Sequence, residues 1–338
     1  MHVFYIHSHI TFVIAQLFIL EYNLSKNKIR YITSRGYKLK SNEDSYDMTE
    51  FYNYLETESR LNKVFKLKEK IEHLDNGIKL LTDNKPFCAY LPQFNHSLFQ
   101  IIGTHDLCES LVLVEEGITA YKLDKELYKS TKIKCSQFLS KLISKRFLLK
   151  NKHYQPYPKD KFKYAICINK DCFPFIEEKK VLKINSQIVT NYNNTIENGN
   201  VVFVLDSFKE RTKISEEEYL MIIKETLKLL KTYDNQLFIK FHPEQNELIR
   251  KKTLSFVINN FGFDSITCLK DSCILEFEFL KSKNLTVIGM HTSLLYYAKR
   301  FDHHVLSGIK LTSGIPEIDT YINHIMDMEQ KKEYMSYV

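Results

Sequence analysis

VVFVLDSFKERTKISEEEYLMIIKETLKLLKTYDNQLFIKFHP, Val201–Pro243, reads as a strand–helix–strand unit. Val201–Leu205 is a strongly apolar run, Glu216–Lys231 places apolar residues at helical spacing, and Gln236–Phe241 is a second apolar run. Two buried strands joined by an amphipathic helix belong side by side in a parallel sheet. Towards the carboxyl terminus the pattern continues with a helix at Gln245–Phe261, a strand at Leu285–Gly289 and a helix at Ser293–Phe301. The polar run Thr190–Asn200 precedes the unit and separates it from the first half.

The first half alternates in the same way. Val3–Ile6, Ile29–Thr33, Phe87–Leu91 and Leu111–Val114 read as strands, Ile10–Leu20 and Thr49–Leu74 as helical, and Leu127–Leu149 as a long basic helix. Asn151–Asp160 is polar with two prolines and reads as a connection, while Tyr164–Val189 is β-rich. Expected are an N-terminal Rossmann-like domain over 1–190, its boundary between 151 and 200, and a second over 191–315. The helical stretch 316–338 is expected to pack back on the first. With 338 residues and 44% hydrophobic composition, the chain is long enough for two such cores.

The formal net charge of +7 is spread along the chain, which suits an anionic ligand or a membrane surface better than nucleic acid. Seven scattered cysteines without a CxxC pair point to reduced thiols and exclude a zinc framework. The apolar segment Val3–Leu20 contains His7, Ser8, His9, Thr11 and Gln16 and lacks a basic leader, so it reads as a strand entering a buried helix.

Four stretches carry candidate chemistry. In LVLVEEG, Glu115 and Glu116 end an apolar strand and Gly117 permits a tight turn. One carboxylate there could serve as a general base, or both could end the strand in a solvated turn. In FIKFHPEQN, His242 follows a strand and Pro243 opens a turn; the imidazole could serve a phosphate or cap the turn. In TVIGMHTSLL, Thr292 and Ser293 open a helix, as an anion site or an ordinary cap, with His291 beside them. In CILEFEFL, Glu276 and Glu278 suit either ribose hydroxyls or the wet face of an amphipathic strand. GxGxxG, GxxxxGK[ST], HExxH, GxSxG and DxD are absent, which removes dinucleotide, P-loop, zincin and hydrolase readings and implies no catalytic metal.

An acid-acid-Gly, then His-Pro, then Thr-Ser, in this order and in strand–turn–helix settings, resembles the bacterial sialyltransferases that include lipooligosaccharide sialyltransferases and polysialyltransferases. The resemblance covers Leu111–Ala298 in islands and nothing in Tyr37–Leu81. It implies a GT-B fold, two facing Rossmann-like domains with a deep interdomain cleft. It also implies metal-independent, inverting transfer from CMP-sialic acid to a hydroxyl, galactose being the expected acceptor, of an O-antigen, lipooligosaccharide or capsule glycan. By the resemblance, Glu115 or Glu116 is the base and His242 serves the departing phosphate. Gly117, Pro243, Thr292 and Ser293 shape the donor site, and Glu278 or Glu276 holds the ribose. His7, His9, Arg35, Asn95 and His96, which follow predicted strands, are candidates for acceptor or sugar binding. No cofactor is implied beyond the nucleotide-sugar donor. A cytoplasmic protein is expected, peripheral on the inner membrane face if its acceptor is lipid-linked. The alternatives are a GT-B transferase using CMP-Kdo or a hexose donor, and a noncatalytic anion-binding protein.

Overall fold

The computed structural model describes residues 1–39, 44–57, 60–93, 96–121, 146, 161–190, 192–233, 236–326 and 328–337. The basic helix expected at Leu127–Leu149, apart from residue 146, and the connection at Asn151–Asp160 lie outside the described residues. The chain divides into two compact units, Met1–Lys183 and Ile184–Val338.

Among the described residues the first unit has seven parallel strands: β1 (His2–Ile6), β2 (Ile29–Thr33), β3 (Ser45–Asp47), β4 (Phe87–Leu91), β5 (Cys108–Val114), β6 (Phe162–Cys167) and β7 (Lys179–Val181). Their order is β3-β2-β1-β4-β5-β6-β7. Central strands are covered on both faces and so read as apolar runs; β5 buries every residue except Glu109. Helix α1 (His9–Glu21) starts in a capping box, with the Ser8 hydroxyl accepting from the Thr11 amide and Thr11 Oγ1 from the Ser8 amide. It buries Ile10, Val13, Ile14, Ala15, Leu17 and Phe18, so Val3–Leu20 is a strand running into a buried helix. No described helix is long and apolar enough to cross a membrane. In the stretch expected to be helical, the described residues form α2 (Thr49–Thr57) and α3 (Arg60–Leu81), and α4 (Ser97–Gly103) follows β4.

Among the described residues the second unit has five parallel strands: β8 (Val201–Val204), β9 (Leu237–Lys240), β10 (Ile266–Cys268), β11 (Thr286–Gly289) and β12 (His304–Ser307), in the order β10-β9-β8-β11-β12. Within each unit the order of appearance is third, second, first, fourth, fifth across the sheet. Connections therefore leave on opposite sides of the β1/β4 and β8/β11 pairs, the positions where open α/β sheets bind ligands outside their carboxyl ends. Gly289 has a packing reason: a Cβ there would sit 2.7 Å from the Val204 carbonyl oxygen, so a side chain would push β11 away from β8.

Among the described residues six helices accompany this sheet, α5 (Phe208–Arg211), α6 (Glu216–Leu227), α7 (Glu247–Asn260), α8 (Leu275–Lys281), α9 (Ser293–Arg300) and α10 (Pro316–Ile325), and α11 (Met328–Met335) follows them. Ser215 and Glu218 form a second capping box at the start of α6, and Asn246 caps α7. One expectation needs correction. The Glu-Phe-Glu-Phe alternation suggests a strand, yet these residues are helix α8 with both faces buried, because the helix is packed on all sides. The stretch 316–338 belongs to the second unit: the Tyr334 hydroxyl donates to the Thr292 carbonyl at 2.9 Å, Ser307 N–H to the Tyr337 carbonyl at 2.7 Å, and Arg300 pairs with Glu333.

Candidate active site

The carboxyl edge of the first sheet gathers the acidic pair. Gly117 has φ +57°, a left-handed conformation that lets the chain turn sharply after β5. The turn gives adjacent carboxylates opposite fates. Glu115 is completely buried; its Oε1 accepts from the Tyr121 hydroxyl at 2.5 Å and its Oε2 from the Ile168 amide at 2.8 Å. It ties β5 to the end of β6. The Glu116 side chain stays one-fifth exposed, and its Oε1 is hydrogen-bonded to Nε2 of His7, which follows β1. The His7 ring is almost wholly buried, and its Nδ1 has no partner among the described residues.

Around this pair stand other expected residues. Arg35, just past β2, has φ +56°, an uncommon conformation for a residue with a side chain. Its guanidinium donates to the Tyr52 hydroxyl at 2.8 Å and lies 5.0 Å from the Tyr52 ring centre, and Glu116 is among the charges acting on it. Tyr52 also stacks on His96 at 5.4 Å. His96 caps α4, with Nδ1 accepting from Leu98 N–H, and pairs with Glu56 through Nε2. His9 packs edge-on against Tyr37. Asn95 lies outside the described residues. Tyr52, which joins Arg35 to His96, carries no motif that marks it in the sequence.

The carboxyl edge of the second sheet shows a regularity. Register pairs Lys240 of β9 with Val204 of β8, and Val204 with Gly289 of β11. Two residues beyond each lie His242, Asp206 and His291. Three neighbouring strands thus present His, Asp and His in a row. His291 Nδ1 is 3.2 Å from Asp206 Oδ2, and both side chains are 6% exposed. The separation is that of an ion pair, although the angle falls short of a hydrogen bond. Asp206 Oδ1 accepts from the Phe208 amide.

His242 is fixed by its turn. Its amide donates to Gln245 Oε1 at 2.9 Å, and its Nδ1 accepts from the Glu244 amide at 3.2 Å. The neutral ring therefore carries its proton on Nε2. Burial pushes the imidazole below its ordinary pKa, against the pull of Glu244 and Asp206. The partner at Glu244 is the backbone; its carboxylate is held by Arg211 in a two-point contact at 2.5 and 2.8 Å. Pro243 lies in the turn before α7, Thr292 caps α9 by accepting from Leu294 N–H, and Ser293 is the first residue of that helix.

The two glutamates of α8 separate cleanly. Glu278 is fully buried and takes the Tyr192 hydroxyl at 2.9 Å, the Thr195 amide at 3.0 Å and the Ile196 amide at 3.0 Å. Its donors come from the chain entering the second unit, so ribose hydroxyls are not needed to satisfy it. Glu276 has no such set, and burial pushes its carboxyl up to about 7, against the nearby Lys240. Lys240 in turn donates to the carbonyls of Lys270, Asp271 and Cys273 at 2.8, 3.0 and 3.0 Å, shaping the loop before α8. Among the described residues no three His, Cys, Asp or Glu side chains are placed to hold a metal ion.

Two parallel α/β units of this strand order fit the GT-B fold. A solved structure agrees at the level of fold. One described as a UDP-N-acetylglucosamine 2-epimerase from Listeria monocytogenes is 9% identical with a TM-score of 0.51, over 100% of this chain and 90% of that one. The GT-B domain of a sialyltransferase from Photobacterium damselae is 10% identical with a TM-score of 0.44, over 88% of each chain. No curated protein matches by sequence. The model of the alpha-2,8-polysialyltransferase (POLYST) family matches residues 2–306, and the chain belongs to that family. It is a glycosyltransferase of the sialyltransferase kind.

Proposed function

We propose that the protein transfers sialic acid from CMP-sialic acid to a sugar hydroxyl of a bacterial surface glycan, by a single inverting displacement that needs no metal. The observation that carries the reading is the His7–Glu116 pair at the carboxyl edge of the first sheet, in a chain whose family is named for sialyl transfer. Glu116 takes the proton of the acceptor hydroxyl as its oxygen forms the bond to the sialyl anomeric carbon. The bond from that carbon to the CMP phosphate breaks, and the phosphate leaves with the electron pair. His7 holds the Glu116 carboxylate in place; Glu115, enclosed by Tyr121 and the Ile168 amide, supports the turn.

In the second unit, His242 presents Nε2–H to the phosphate while neutral, because Nδ1 is occupied by the Glu244 amide. Gly117 and Pro243 set the turns that place Glu116 and His242. Thr292 and Ser293 offer the free amides of the α9 N-terminus to the phosphate, and Glu276 serves the ribose hydroxyls. Arg35, His9 and His96 line the acceptor side. The family name describes α-2,8-linked polymers, which makes an acidic sugar chain the first acceptor to try. Work on a lipid-linked acceptor at the inner face of the cytoplasmic membrane fits this reading.

Glu116→Gln and Glu115→Gln separate the roles. With CMP-sialic acid and acceptor, Glu116→Gln lowers turnover by roughly 10²-fold or more with an unchanged unfolding transition, whereas Glu115→Gln acts chiefly on stability. Full activity in Glu116→Gln overturns the base assignment.

A further inference from the structure

His291 is not needed by the scheme above, yet its surroundings are more ordered than a loop residue requires. The carbonyls on either side are both held: Met290 O accepts from Ser307 Oγ at 2.6 Å, and Thr292 O from the Tyr334 hydroxyl at 2.9 Å. Its ring stands edge-on to Tyr321 at 5.5 Å and tilted against Phe208 at 6.2 Å. Asp206 takes the Nδ1 side, and Asp206 has little freedom because its other oxygen accepts from Phe208 N–H. With Nδ1 directed at a carboxylate, Nε2 is the ring atom left for a ligand, and the residue following His291 caps α9.

Both imidazoles of the row flank one buried carboxylate and turn Nδ1 to the protein: His242 accepts there from a backbone amide, and His291 faces Asp206 Oδ2 at 3.2 Å. They are close enough for the charge of His291 to act on His242. Two rings fixed through Nδ1 at one sheet edge, beside a helix N-terminus, suit a group with several acceptor oxygens.

We propose that His291 binds the phosphate of the donor nucleotide alongside His242, and that Asp206 is its positioning residue. The inference rests on the CMP-donor reading and extends it to two residues with no part in the scheme above. With Nδ1 turned to the Asp206 carboxylate, Nε2–H donates to a phosphate oxygen. Without Asp206 the ring can turn, and the contact is lost.

The test is calorimetric titration of the full chain with CMP and, separately, with cytidine, which has the base and ribose but no phosphate. His291→Gln and Asp206→Asn each raise the Kd for CMP roughly tenfold or more, leave cytidine affinity unchanged, and together weaken CMP no further than His291→Gln alone, because they remove one unit. His303→Gln, at a buried histidine just before β12 whose Nε2 meets the Phe279 carbonyl, is the control and binds CMP as wild type does. If a variant does not fold, the wild-type protein labelled with 15N-histidine still decides: CMP shifts a side-chain resonance pair beyond that of His242, and cytidine does not. Unchanged CMP affinity in the variants, or parallel loss of CMP and cytidine, overturns the assignment while leaving the donor reading in place. Failure of the wild-type protein to bind CMP removes both.

Discussion

Glu116 is hydrogen-bonded to His7 across the carboxyl edge of the first sheet, while its neighbour Glu115 faces inward to Tyr121 and the Ile168 amide. His7 is nearly buried, so its ring holds the carboxylate with little freedom. His7→Ala should lower kcat/KM for CMP-sialic acid and acceptor by roughly tenfold to 10²-fold, whereas His7→Gln, which keeps a donor, recovers part of the loss. Initial rates of CMP release measure this. Equal rates in His7→Ala and wild type contradict the pairing's role.

The glutamates of α8 make opposite predictions. Glu278 satisfies two backbone amides and a tyrosine, so Glu278→Ala leaves these donors unmet and should cost roughly 2–4 kcal/mol in urea unfolding. Glu276→Gln removes no comparable network and should instead weaken cytidine and CMP alike. Stability and cytidine affinity, measured on both variants, separate the roles; a cytidine affinity lost only in Glu278→Ala reverses them.

Stability should respond to pH through two opposed groups of residues. Burial lowers the pKa of His242, His303, His105 and His2 below 6.5, so below that pH the unfolded chain takes up protons that the folded chain does not, and stability falls. Glu276 acts the other way. Its folded pKa of about 7 exceeds the unfolded 4.5, so its contribution is full below 4.5 and is lost as pH rises through about 7. Glu276→Gln should therefore raise the unfolding midpoint relative to wild type at pH 8, with the difference shrinking towards pH 5, and should make the acid-side fall steeper. An unfolding midpoint of Glu276→Gln below that of wild type at pH 8 contradicts this.

Much of the fold is legible in the sequence because its strands are apolar on both faces and its helices begin at recognisable caps. Ser215 with Glu218 marks the start of α6, and Asn246 marks α7. Short edge strands such as β3 and β10 bury too little to leave such a pattern. The helix at Leu275–Lys281 was obscured because both of its faces are buried, which erases helical periodicity and leaves an apparent alternation of two.

The site was legible residue by residue and not as an arrangement. Acid after strand, histidine after strand and hydroxyl before helix all mark carboxyl edges, and those residues lie there. The proposed choice of Glu116 over Glu115 rests on the Ile168 amide, which arrives just past β6, far along the chain. Asp206 follows an apolar strand as Glu115 does, so the same signal was present at Val201–Asp206. The three-residue row appears only once the register of β9, β8 and β11 is known.

Donor choice tests the central claim most directly. With EDTA present, the purified protein should release sialic acid from CMP-sialic acid slowly without acceptor and rapidly with it, and should be stabilised thermally by CMP. CMP-Kdo, UDP-sugars and GDP-sugars should give neither response. Turnover of a UDP- or GDP-sugar, or no response to any cytidine nucleotide, contradicts the account.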